Sequence, residues 1–138
     1  MSVSYHDFKE FPPELLEELF LSVQWESGKR PEQLAQALLH YGAVFSVWDG
    51  ERLAGLAAAM DDRTMTAYIQ YLLVHPLYQG RGIGSRLLEL CRRHYAGYQS
   101  LVLTSYREGV PFYERNGFML DGEQSAMRLS LPGGDSPH

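Results

Sequence analysis

Tyr68-Ile-Gln-Tyr-Leu-Leu-Val-His-Pro-Leu-Tyr-Gln-Gly-Arg-Gly-Ile-Gly-Ser-Arg-Leu-Leu88 is the stretch around which the rest of this chain is organised. Up to Val74 it reads as a buried strand. His75-Pro76 opens a turn, glycines follow at positions 80, 82 and 84, and an amphipathic helix then begins. Ile83, Leu87, Leu88, Leu90 and Cys91 share one face at the helical period. Without a Cβ, Gly80, Gly82 and Gly84 let the backbone turn tightly and lie against a ligand. The first amides of such a helix lack an intrahelical acceptor and point out of its positive end. A strand that hands over to this turn predicts a receptor for phosphate or pyrophosphate.

The type of phosphate ligand is narrowed by what surrounds the glycines. No Lys-Ser or Lys-Thr pair follows them, which excludes a P-loop. A dinucleotide fingerprint fits badly, because the spacing is Gly-x-Gly-x-Gly and His75 to Gln79 separate strand from glycines. No later strand ends in an acidic residue at the required distance, since Ser105 and Tyr106 follow Ser100 to Thr104. On the glycines alone, a loop that merely caps and packs a helix is the simpler reading.

Two motifs in fixed order change that reading. Gln79-Gly-Arg-Gly-Ile-Gly84 has the form Gln/Arg-x-x-Gly-x-Gly/Ala, preceded by Val-x-Pro and followed by an apolar helix. Phe112-Tyr-Glu-Arg-Asn-Gly-Phe118 has the form Phe-Tyr-x-x-x-Gly-Phe. Together they resemble the GNAT superfamily of acyl-CoA-dependent N-acetyltransferases, over roughly Val44 to Phe118. The resemblance implies acetyl-CoA as co-substrate, its pantetheine entering between two splayed parallel strands. Main-chain groups of Leu72, Leu73 and Val74 would bond the pantetheine. Gln79, Gly80, Arg81, Gly82, Ile83, Gly84 and Ser85 would hold the pyrophosphate, and Phe112 would pack on the coenzyme. Arg81 is read either as a phosphate contact or as a solvated charge. One departure stands out: Tyr106 lies where the family often carries an Asn that contacts the coenzyme.

The whole chain suits one domain. Its 138 residues can bury a core without disulfide or metal support, and we expect a single domain over 1–131 followed by a disordered tail, 132–138. Twelve Lys and Arg against 17 Asp and Glu leave a net charge of −5, which argues against nucleic acid and suits a cationic substrate. Cys91 is the sole cysteine, so no internal disulfide forms and a cytoplasmic location is expected. No apolar run reaches the length of a membrane span, and no apolar signal segment opens the chain.

The remaining elements follow from pattern. Val3 to Tyr5 reads as a short edge strand. Pro12-Pro13 opens a helix with Leu15, Leu16, Leu19 and Phe20 inward, and a second helix runs from Pro31 to about His40 with Leu34, Leu38 and Leu39 inward. Ala43 to Trp48 and Leu53 to Met60 form a hairpin through Asp49-Gly50, and Asp61-Asp62 turns into the strand Met65 to Val74. Leu101-Val-Leu103 starts a buried strand parallel to Met65–Val74 across the central helix. Phe118 to Leu120 and Ala126 to Leu131 read as a closing hairpin turning at Asp121-Gly122. The expected class is α/β in the mixed α+β sense. A central, twisted, mostly antiparallel sheet would carry helices on both faces and one splayed parallel pair.

Tyr113 is the candidate for chemistry. A phenol keeps its proton at neutral pH and can deliver it to the thiolate expelled from a thioester. The alternative is an aromatic that packs beside Phe112. A main-chain amide near Leu73 or Val74 is the candidate oxyanion donor. No general base is singled out: His75 has a suitable pKa range but sits before Pro76, and Glu26, Asp61, Asp62 and Glu108 are further candidates, each read otherwise as a solvated loop charge or as an attractor of a cationic amine. Gln70, polar within an apolar strand, must bond or line a pocket. Trp25, Glu26 and Gln70 are the expected acceptor-site residues. The expected activity is transfer of acetyl to a primary amine of a small molecule, without a metal. Acetylation of a protein or peptide amine and a non-catalytic acyl-CoA-binding module are the alternatives, and a homodimer through a sheet edge stays open.

Overall fold

Prolines set where the first two helices begin. Helices α1 (Pro13–Ser22) and α2 (Pro31–Leu38) each carry one in the first turn, where the missing N–H leaves no bond unmade. The computed structural model describes residues 2–133. Five strands, β1 (Ser4–His6), β2 (Ala43–Asp49), β3 (Arg52–Asp61), β4 (Thr66–Val74) and β5 (Ser100–Leu103), lie in sequence order across one sheet. Neighbours are antiparallel except β4 and β5, which are parallel and joined by helix α3 (Ile83–His94). A short helix, α4 (Val110–Arg115), follows β5.

The turns are chemically determined. Gly50 takes a φ of 61° between paired Asp49 and Arg52, as a two-residue hairpin loop requires. At the β3–β4 turn the Asp62 carboxylate accepts from the amides of Thr64, Met65 and Thr66 at 2.9, 2.7 and 3.1 Å. Those bonds favour the ionised form and hold its pKa down to about 2.

Each sheet face has its own core. On one face Ile83, Leu87, Leu88 and Cys91 of α3 pack on Ala43, Ala54, Ala57, Ala59 and Ala67, small side chains that let the helix sit close. On the other, Leu16, Leu19 and Phe20 of α1 and Leu34 and Leu38 of α2 meet Val44, Leu56, Tyr71 and Leu73. Burial pushes the Cys91 thiol up to about 12, so it behaves as a small apolar group.

A β-bulge in β4 decides which residues face which core. Ala58 pairs with Tyr71 but Ala59 pairs with Ile69, leaving Gln70 as the extra residue. Ala67 and Ile69 therefore face α3, whereas beyond the bulge Leu72 and Val74 take that face and Tyr71 and Leu73 point to α1 and α2. Strict alternation would have put residues 67, 69, 71 and 73 on one side.

Three sequence expectations need correction. The second helix ends at Leu38, and Leu39 is 47% exposed rather than inward. Phe118–Leu120 and Ala126–Leu131 form no strands: beyond a turn at Asp121, where the Gln124 amide bonds Asp121 O at 3.2 Å, the segment stays irregular and exposed. A strand needs a partner edge, and among the described residues this segment pairs with none. In consequence β5 is an edge strand, half-covered rather than buried. Of the expected tail, Pro132 and Gly133 form a turn and 134–138 lie outside the described residues.

Candidate active site

The site begins where β5 stops. Pairing between β4 and β5 runs from Thr66–Ser100 to Ile69–Leu103, while β4 continues to Val74. The main chain of Gln70 to Val74 thus has no strand on that side, and a cavity of about 240 Å³ opens there. Its walls come from β4 (Ile69, Gln70, Leu72), from the end of β5 and the following loop (Leu103 to Tyr106, Glu108, Gly109), and from Trp25 and Tyr113.

Below the splay, β4 passes into the glycine turn. The His75 ring caps a short 3-10 turn (Pro76–Tyr78) by accepting the Leu77 amide on Nδ1 at 3.2 Å, and its Nε2 stands 3.4 Å from the Arg52 guanidinium. Gly80 and Gly82 adopt φ of 79° and 80°, and nothing lies within 4 Å of where a Cβ would stand. The backbone conformation itself demands glycine there and leaves the space above it open. Gly84 is different: a Cβ would stand 3.1 Å from Phe112 Cζ, so its bareness lets α4 pack on the first turn of α3. Arg86 N–H makes the first helical bond, to Gly82 O at 3.0 Å, so the preceding amides of Ile83, Gly84 and Ser85 project from the helix start. The Gln79 side chain donates to Val74 O at 3.0 Å and ties this turn to the end of β4. Arg81 lies over the Tyr78 ring at 5.7 Å. These features fit a diphosphate: open amides, positive φ glycines and a helix dipole aimed at one point.

One capping device delivers both aromatic walls. At the end of α4, the Phe118 amide bonds Tyr113 O at 3.0 Å and the Gly117 amide bonds Glu114 O at 3.1 Å, with Gly117 at φ 93°. This is a Schellman cap, and its apolar contact is Tyr113 against Phe118, ring centroids 5.9 Å apart. The spacing Phe-Tyr-x-x-x-Gly-Phe is the sequence of that cap. At the end of α1, the Trp25 amide bonds Phe20 O and the Gln24 amide bonds Leu21 O, both at 3.0 Å. Gln24 takes the glycine position at φ 63°, and Phe20 and Trp25 make the apolar contact at 6.1 Å.

Tyr113 is half-buried between Phe112 and Phe118, and burial pushes its pKa up to about 12. It lines the cavity with Trp25, Gln70 and Leu72. Glu26 does not: it pairs with Lys29 at 3.0 Å beside the cavity wall. Glu108, read in the sequence either as a candidate base or as a solvated loop charge, does line it, as do Tyr106 and Ser105. Ser105 donates to Tyr106 O at 2.7 Å. His75 and the aspartates are spent on turns, with Asp61 accepting from Tyr95 OH at 2.7 Å. The bulge at Gln70 was the one site feature with a missed signal, the shift of the apolar phase between Ile69 and Leu72. Among the described residues no group of three His, Cys, Asp or Glu could hold a metal ion.

A splayed parallel pair over a glycine turn defines a class of acyltransferase fold. A solved GNAT-family acetyltransferase of Streptococcus pneumoniae TIGR4 matches with a TM-score of 0.82 at 24% identity, over 95% of this chain and 99% of that one. Residues 40–120 match the acetyltransferase (GNAT) domain family, and the chain belongs to that family. It is 31% identical over 113 residues to an uncharacterized N-acetyltransferase, ycf52-like, of Prochlorococcus marinus, covering 77% of this chain and 62% of that one. It is 33% identical over 88 residues to glucosamine 6-phosphate N-acetyltransferase of Trypanosoma brucei brucei, 58% of each. The chain spans about six-tenths of the length of these relatives. Family membership implies acetyl-CoA as the acetyl donor.

Proposed function

We propose that this protein transfers acetyl from acetyl-CoA to a primary amine of a small cationic molecule. The observation that carries this is that Tyr113 and the unpaired edge of β4 line one cavity. Main-chain groups of Leu72 to Val74 take the pantetheine, the amides of Ile83, Gly84 and Ser85 take the pyrophosphate, and Arg81 and Phe112 flank them. The amine attacks the thioester carbon, and an amide near Leu73 or Val74 steadies the oxyanion. On collapse, the carbon–sulfur bond breaks and Tyr113 protonates the departing thiolate. Trp25 and Gln70 form the acceptor walls, and Glu108 supplies the carboxylate there in place of Glu26.

The charge of the lining supports a cationic acceptor over a phosphorylated one. Among the described residues around the cavity there is a carboxylate, Glu108, and no Lys, Arg or His. A sugar phosphate calls for cationic partners, so the activity named for the trypanosomal relative is a poorer fit. No helix of the described residues is long and apolar enough to cross a membrane, and the buried free thiol of Cys91 suits the cytoplasm.

The test is calorimetric titration with acetyl-CoA, followed by thiol release across a panel of amines. We expect binding, then turnover on unphosphorylated cationic amines. Tight binding without turnover on any amine would leave a sensing module instead, and absence of binding would overturn the reading.

A further inference from the structure

A second cavity, of about 390 Å³, lies at the end of the sheet where α3 stops. Lys9 from the loop between β1 and α1, His40 from the loop after α2, Arg63 from the β3–β4 turn and His94, the last residue of α3, all line it. Two cations and two imidazoles thus meet in a chain whose net charge is −5. Among the described residues of the lining the one carboxylate, Asp61, is already engaged. One oxygen accepts from Tyr95 OH at 2.7 Å and the other from the Arg63 amide at 2.9 Å. Gly42 makes room for it, since a Cβ there would overlap the Asp61 carboxylate. Lys9 and Arg63 form no ion pair among the described residues, and the Arg63 charge acts instead on the Tyr98 phenol of the same wall. The His94 ring is held edge-on against Phe45 and Tyr95, with centroids 6.0 and 4.7 Å apart.

We propose that this cavity binds a phosphate group, free or carried by a small molecule, at a site separate from the acyl-transfer cavity. Charge selects phosphate: two permanent cations, Lys9 and Arg63, match a dianion and overcompensate a single carboxylate. Donor groups select it too. An ammonium, a guanidinium and two imidazoles suit the three oxygens of a phosphate better than the two of a carboxylate. A phosphate group fills only part of the space, since a water's share of the liquid is about 30 Å³. Tyr41 and Tyr98 line the cavity as well, and their phenols can bond the polar body of an ester. The glycine turn is a different place: it opens α3 while this cavity adjoins its last residue, about 17 Å further along the helix.

The test is nuclear magnetic resonance of the histidine rings in the full chain at constant pH. Sodium phosphate is titrated to about 50 mM, enough to fill a millimolar site, beside acetate and chloride series of matched ionic strength. We expect the His40 and His94 signals to shift saturably with phosphate and not with acetate or chloride. His75 stands beside the glycine turn and reports separately on anions bound there. Lys9→Gln with Arg63→Gln lies outside both cores, and should weaken the response of His40 and His94 about tenfold or more at unchanged melting temperature. Glucose 6-phosphate binding more tightly than inorganic phosphate would assign the site to an ester, and the reverse order to the free ion. A response to acetate or chloride as large as that to phosphate overturns the proposal. So does a phosphate response confined to His75, or one at His40 and His94 that survives the double variant.

Discussion

Burial disfavours the phenolate of Tyr113, and with a pKa of about 12 the side chain stays protonated across the neutral range. A group that is to donate a proton to a thiolate needs that property. Tyr113→Phe should leave acetyl-CoA affinity unchanged and lower kcat about tenfold or more, measured by titration and thiol release. Unchanged kcat would return Tyr113 to a packing role. The pH profile follows from the same shift: because the raised pKa delays loss of the proton, ionisation of Tyr113 should cause no fall in kcat up to about pH 10. A basic limb centred near pH 8 or 9 that vanishes in Tyr113→Phe would contradict this.

Helix ends do more than helix bodies to place the chemistry. Two Schellman caps aim Tyr113 and Trp25 into one cavity, and one of them uses a residue unsuited to its conformation. Gln24 sits at φ 63°, so Gln24→Gly should relieve strain and raise stability by about 1 kcal/mol in urea unfolding. At the start of α3 the argument reverses. Gly82 holds φ 80°, so Gly82→Ala should cost about 1 kcal/mol and weaken acetyl-CoA binding, read by melting and titration. Equal stability and affinity would show that the turn adapts without loss.

Across the whole molecule, the α1–α2 core also supports the acceptor wall. Phe20 is fully buried and meets Tyr71 and Trp25 edge-on at 5.0 and 6.1 Å. Phe20→Ala should cost about 3–5 kcal/mol and raise KM for the amine as Trp25 loses its neighbour, with the KM for acetyl-CoA moving less. Equal rises in both would mean that Phe20 supports the fold without favouring either site. The two-faced sheet, the parallel β4–β5 pair and the glycine turn were legible in apolar periodicity and in Gly and Pro positions, because those are local rules of backbone and burial. The bulge at Gln70 left only a phase shift. The sequence left Glu108 as one loop carboxylate among four, because its lining role depends on where the turn after β5 folds against the end of β4.

The chain alone determined the five paired strands and the main helices, the glycines at which the backbone turns, and which motif spacing marks the family. Those properties reside in neighbouring residues and in periods of two and 3.6. Only the tertiary structure decided that pairing stops at Ile69, that Trp25, Gln70, Glu108 and Tyr113 share one cavity, and that residues 119–131 pair with no strand among the described residues. Each of those depends on contacts between residues far apart in sequence, and a strand pattern names a need for a partner without saying where the partner is.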